Sequence, residues 1–130
     1  MPKVDFVTGE IYGMAVVCRK NAGYGFMMWI NSNEHEPPHV HIGQHVQQTD
    51  AKLIITEDCP KDIYDLFFIK GSVITGRQKR AIVAWANQLK YKDSNITNWD
   101  YLKDEWLMNN DSSEFPDFHK ATIWGNAWNV

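Results

Sequence analysis

The sequence predicts an α+β fold, a small antiparallel β-sheet followed by two helices packed on one face. Three observations carry that prediction. In the first half, short apolar runs of strand length alternate with turn-forming residues. At Thr75-Gly76-Arg77-Gln78 the pattern changes to a capping box that opens an apolar stripe of helical period. After Thr97, Trp99, Leu102 and Trp106 repeat that period on a second segment. At 130 residues, 44% hydrophobic and 13% aromatic, residues 1–130 hold the material for a single packed domain, which excludes a globally disordered chain.

Residues 4–12 hold a hairpin candidate, Phe6-Val7 against Ile11-Tyr12 around Thr8-Gly9-Glu10. Residues 14–18 are a short apolar run, and 19–25 read as a turn rich in asparagine and glycine. Residues 26–30 are continuously apolar, as a central strand buried on both faces should be. Pro37 and Pro38 then impose an extended connection, because neither donates to a ladder and each restricts the residue before it. Beyond them the period becomes two, with Val40 and Ile42 on one face and His39 and His41 on the other. A polar turn over 43–50 leads to a strand over 51–56, and Cys59-Pro60 breaks the run. Residues 66–69 are a further strand candidate, closed by Gly71 and Ser72. The first helix starts at Thr75 and buries Ile82, Trp85, Ala86 and Leu89; the second starts after Thr97 with Asp100 in its first turn. Residues 109–130 read as an acidic linker and an aromatic tail, whose Trp124 and Trp128 are expected to dock on the domain's own sheet.

A formal charge of −3 argues against non-specific nucleic-acid binding as the main task. Cys18 and Cys59 lack any Cys-x-x-Cys spacing, so they are expected to be buried, reduced thiols of a cytoplasmic protein. Asp5 and Glu10 interrupt any secretory start, and no apolar stretch approaches membrane-spanning length.

The densest chemistry is Asn33-Glu34-His35-Glu36-Pro37-Pro38-His39-Val40-His41. It resembles the D-H-x-P-P-H-F-H signature of a small bacterial family catalogued as domain of unknown function 4160. Arg80-Ala81 at the opening of the helix, Trp85 within it and Asn98-Trp99 after it are similar to that family's second half. The family-like core spans 26–108, with extensions at both ends. Val40 replaces the usual aromatic, and Glu34 stands where the family has aspartate. The resemblance assigns no catalytic residue. It implies a neighbour of small, co-encoded proteins, a setting that has suggested toxin–antitoxin modules.

Ligand- or partner-contact candidates are His35, His39, His41, Arg77, Lys79 and Arg80. His39 and His41 can present two imidazoles to one ion, with His35, His45, Glu34 or Glu36 completing the shell. No third ligand stands at diagnostic spacing, so a structural or ligand-contact pair is the reading adopted, without cofactor or metal. His35 between two glutamates has the setting of a tuned base. Arg77, Lys79 and Arg80 oppose the helix dipole, which an acidic partner or RNA phosphate would explain. The function expected is a small cytoplasmic binding or regulatory domain acting through a protein partner; the alternative is a metal-dependent hydrolase or ribonuclease using the His39/His41 face.

Overall fold

The computed structural model describes residues 14–32, 34, 37–110 and 115. Four strands follow one another as an antiparallel meander: β1 (Met14–Cys18), β2 (Met27–Asn31), β3 (His39–Gly43) and β4 (Ala51–Ile54), in that spatial order. Helices α1 (Gly76–Asn87) and α2 (Asn98–Asn109) come after the sheet. The fold is therefore α+β, strands first and helices last. The expected hairpin over residues 4–12 and the tail with Trp124 and Trp128 lie outside the described residues.

Each connection has a local cause. Between β1 and β2, a single 3-10 turn (Lys20–Ala22) ends at Gly23, whose φ of 92° suits only glycine comfortably. Between β3 and β4 the chain turns through Gln47 at φ 64°, an uncommon state for a side chain of that size. Gly43 is fixed by close approach instead: a Cβ there would sit 2.3 Å from the Gln48 carbonyl oxygen. At Pro38 the strand edge is used despite the missing donor, since its carbonyl accepts from Ile55 N at 2.8 Å.

Register sorts the side chains. Trp29 pairs with His41, Met28 with Ile42, Val40 with Leu53, and His39 with Ile54. One face thus gathers Met28, Ile30, Val40, Ile42 and Leu53, which join Ile82, Trp85, Ala86, Trp99, Leu102 and Trp106 in a single core. Each methionine, isoleucine, valine or leucine among them contributes about 1.5–3 kcal/mol by leaving water. Trp99 also donates from Nε1 to the Thr56 carbonyl at 2.9 Å, pinning α2 to the end of β4. The other face carries Trp29, Asn31, His39, His41, Lys52 and Ile54, and it too is largely buried: Trp29 is 0% exposed, and His39 and His41 are each 5% exposed.

Both helices open on capping boxes, Thr75 with Gln78 and Thr97 with Asp100. Two expectations fail nearby. Leu89 does not extend the stripe of α1; the helix stops at Asn87 and Leu89 is 51% exposed. Gln88 turns extended because the chain folds back on itself, with Lys90 N bonded to Ile96 O and Asn98 N to Gln88 O. Asn98 Nδ2 then caps the Trp85 carbonyl at 2.8 Å. The strand expected over 66–69 is not formed either. A 3-10 turn (Ile63–Asp65) capped by Asp62 takes the approach. The Leu53–Phe68 bridge, with Ile54 N to Phe67 O and Ile69 N to Lys52 O, joins this segment to β4, and after the turn Ser72 Oγ accepts from Lys52 N at 2.9 Å. Cys18 and Cys59 are both free thiols; Cys18 is buried as expected, Cys59 only partly. Among the described residues no helix is long and apolar enough to cross a membrane.

Candidate functional site

The period-two pattern of β3 places His39 and His41 side by side on one sheet face, their ring centroids 5.0 Å apart. Trp29, on the neighbouring strand, stacks on His41 at 5.7 Å and 11°, and Trp106 of α2 tilts against His39 at 5.6 Å. The two imidazoles are therefore flanked by indoles, Trp29 on His41 and Trp106 on His39.

Hydrogen bonds then fix the rings. His39 Nδ1 lies 2.8 Å from the Pro37 carbonyl, which only accepts, so Nδ1 carries the proton and donates. Nε2 of neutral His39 is consequently a bare lone pair, buried and without a hydrogen-bond partner. His41 Nδ1 lies 2.9 Å from the Thr49 hydroxyl, and its Nε2 is hydrogen-bonded to Glu34 Oε1. A hydroxyl both donates and accepts, so Thr49 supports either tautomer of His41.

Glu34 closes the group. Its Oε1 is 3.6 Å from His39 Nε2 and accepts from Asn31 Nδ2 at 3.1 Å. Its backbone is held from far along the chain: Glu34 N donates to Asn110 Oδ1 at 2.8 Å, while Asn110 Nδ2 donates to the Asn31 carbonyl at 3.1 Å. The last residue of α2, Asn109, takes a further bond from the Ser32 hydroxyl at 3.1 Å. The C-terminal end of α2 thus clamps the segment that delivers Glu34. Asn31 is steadied in turn by Gln47, whose Nε2 donates to Asn31 Oδ1 at 3.0 Å.

One carboxylate oxygen and two imidazole nitrogens converge, all within 4.8 Å of one another. Burial pushes both histidines below the usual imidazole range, and Lys52 adds to that, while Glu34 opposes it; His39 and His41 are neutral at pH 7. Burial raises the Glu34 carboxyl, but the hydrogen bonds from His41 and Asn31, together with the attraction of the imidazoles once acid protonates them, outweigh it and leave the group below its ordinary value. The cluster is an anion beside two neutral nitrogen bases, the donor set of a divalent transition metal. At zinc bond lengths of ~2.1 Å, two ligands of a tetrahedron stand about 3.4 Å apart. The His39–Glu34 span of 3.6 Å already matches that. Both Nδ1 atoms have their outer partners in place, the arrangement that orients metal-bound histidines.

The other predicted residues fall elsewhere. His35 lies outside the described residues. His45 is in the β3–β4 turn, in a bridge with Gln48. Arg77, Lys79 and Arg80 sit on α1, which packs against the opposite sheet face, so they do not join the imidazoles. Lys79 rests over the Phe68 ring at 5.8 Å, and Arg80 lines a shallow groove of about 330 Å3 with Lys61, Tyr64 and Val83. Sequence reasoning did not find Trp29, Asn31, Thr49, Trp106 or Asn110. The period-two pattern of β2 places Trp29 and Asn31 on one face, which becomes the histidine face only once the β2–β3 register is known. Asn110 offers no signal beyond following a helix.

Among known proteins, a family model described as domain of unknown function (DUF4160) matches residues 23–100. No curated protein and no solved structure matches the chain. The matched segment takes in β2 to β4, α1 and all three converging residues, but ends before Trp106 and Asn110.

Proposed function

The chain belongs to the DUF4160 family, and we propose that it is a divalent-metal protein, zinc being the first ion to test, with Glu34, His39 and His41 as ligands. The observation that carries this reading is the bare, buried Nε2 of His39 aimed at a carboxylate and a second imidazole. A buried polar atom without a partner costs about 1–3 kcal/mol, and a metal ion bound there removes that cost. Glu34 supplies the third ligand that the His39/His41 pair lacked when read by spacing alone. Three protein ligands leave a coordination position for water, and a metal-activated water makes hydrolysis the chemistry of such a centre. The free thiols of Cys18 and Cys59 support a reducing, cytoplasmic setting.

Metal analysis of protein purified without chelator tests the reading. Close to one equivalent of metal is expected, lost in Glu34→Gln and His39→Ala, together with any metal-dependent cleavage of chromogenic esters and phosphodiesters. Folded native protein that takes up no zinc, manganese or cobalt overturns it.

A second reading, a regulatory module acting on a small co-encoded protein in a toxin–antitoxin-type pair, is favoured by the groove beside Arg80. Tyr64 there is 83% exposed, more than a purely internal role requires. Charge reversal at Arg77, Lys79 and Arg80 should then abolish co-purification with that neighbour, and unchanged capture would remove this reading.

A further inference from the structure

A second concavity lies away from the imidazoles, between β1, the turn that follows it, and the fold-back joining α1 to α2. It encloses about 450 Å3 and is lined by Arg19, Tyr24, Gln88, Lys90, Asn98 and Tyr101, among others. It shares no residue with the Glu34–His39–His41 cluster.

Its charge departs from that of the molecule. The whole chain carries −3, yet the described residues lining this cleft include two cations and no carboxylate. Arg19 enters from the end of β1 and Lys90 from the fold-back, so the charges come from two separate walls. Neither makes an ion pair among the described residues, where the salt bridges are those of Glu34 with the two histidines and of Lys103 with Glu57. Lys90 Nζ lies 4.2 Å from the centre of the Tyr101 ring, a cation–π contact that holds the ammonium in place; the Tyr101 hydroxyl in turn bonds the Glu105 carboxylate, which is not among the cleft's lining residues. Tyr24 donates its hydroxyl to Gln88 Oε1 at 2.5 Å, which fixes that amide and leaves Gln88 Nε2 to donate elsewhere. The wall is thus rich in donors and positive. Arg19 and Lys90 face the cleft from separate walls, and a dianion seated between them would gain a charge-assisted hydrogen bond from each.

We propose that this cleft binds a small phosphate monoester, the phosphate between Arg19 and Lys90 and the organic part against Tyr24 and Tyr101. The volume suits a sugar phosphate or mononucleotide better than a polymer. The charges also form a pocket and not the stripe that would track a nucleic-acid backbone. The cleft is a binding site without covalent chemistry of its own: burial holds the Cys18 thiol up at about 11, so it is not a thiolate nucleophile at neutral pH.

Calorimetric titration of the full chain with ribose 5-phosphate, adenosine 5′-monophosphate, inorganic phosphate and adenosine tests the proposal. The phosphate-bearing probes should bind and adenosine should not. Affinity should fall about tenfold in Arg19→Gln and in Lys90→Gln, the loss of one charged hydrogen bond each, and should weaken with added salt. Equal affinity for inorganic phosphate and the two esters would assign the site to free phosphate and overturn the monoester. Absence of saturation at millimolar ester, or affinities unmoved by both substitutions, would also overturn it. So would single-stranded RNA that binds more tightly than any monoester while ignoring both substitutions.

Discussion

If Glu34, His39 and His41 hold a metal ion as proposed, Asn110→Ala should weaken its binding from outside the ligand set. Asn110 is 9% exposed, and its side chain makes two bonds to the segment that carries the site. Oδ1 accepts from Glu34 N at 2.8 Å, and Nδ2 donates to the Asn31 carbonyl at 3.1 Å. Alanine deletes both, each worth about 1 kcal/mol net, so the substitution should cost about 2 kcal/mol in stability. It also frees the backbone of Glu34 from α2. Loss of a residue that orients a ligand typically lowers metal affinity ~10- to 100-fold. Thr97→Ala is the control: it removes the N-terminal cap of the same helix, for about 1 kcal/mol, without reaching Glu34. Urea unfolding gives the stabilities, and zinc titration against a competing chelator gives the affinities. Asn110→Ala that is destabilised as expected yet binds zinc as tightly as Thr97→Ala would show that α2 does not hold Glu34 in place for the metal.

Gly43→Ala should lower the urea midpoint by the equivalent of about 2 kcal/mol or more, since the new methyl meets backbone oxygen that cannot swing aside; an unchanged midpoint would show that the β3–β4 turn yields freely. Thr49→Val removes the outer partner of His41 Nδ1 and should reduce zinc affinity about tenfold, with at most about 1 kcal/mol lost from the metal-free protein because the site of the hydroxyl is open to water. Acid should destabilise the fold in two stages. Below about pH 6.5 the unfolded chain takes up protons that buried His39 and His41 refuse, so stability falls as pH drops from there toward their lowered values. Glu34, also lowered, adds a second loss once pH passes below the ordinary carboxylate range. Stability that stays flat between pH 7 and 5 would contradict the burial of the imidazoles.

How much of this was legible in the sequence follows from the range of each interaction. Helix starts are local, and both capping boxes stand at the threonines that the sequence marks. The alternation of Val40 and Ile42 against His39 and His41 is equally local, and it assigns the faces correctly. It does not say whether the second face is covered, because that depends on Trp29 arriving through β2 and Trp106 through α2. Leu89 shows the reverse failure: its spacing continues the stripe, but the fold-back that bonds Asn98 N to Gln88 O ends the helix first. Residues 66–69 have strand composition and do lie beside β4, yet the capped turn at Asp62 and the turn after Ile69 leave room for only one bridge. In the site, Glu34 was one ligand candidate among several. What singles it out is the bond its backbone N–H donates to Asn110 Oδ1, which spans 76 residues and leaves no trace in either local pattern.

Whether Glu34, His39 and His41 share one metal ion is read from X-ray absorption of the zinc-loaded protein, which reports the atoms bound to the ion. The zinc should be surrounded by nitrogen and oxygen only, at ~2.0–2.1 Å, with more distant scattering from two imidazoles. A sulfur shell near ~2.3 Å, placing zinc on Cys18 or Cys59, would contradict it, as would a shell of oxygen without imidazole.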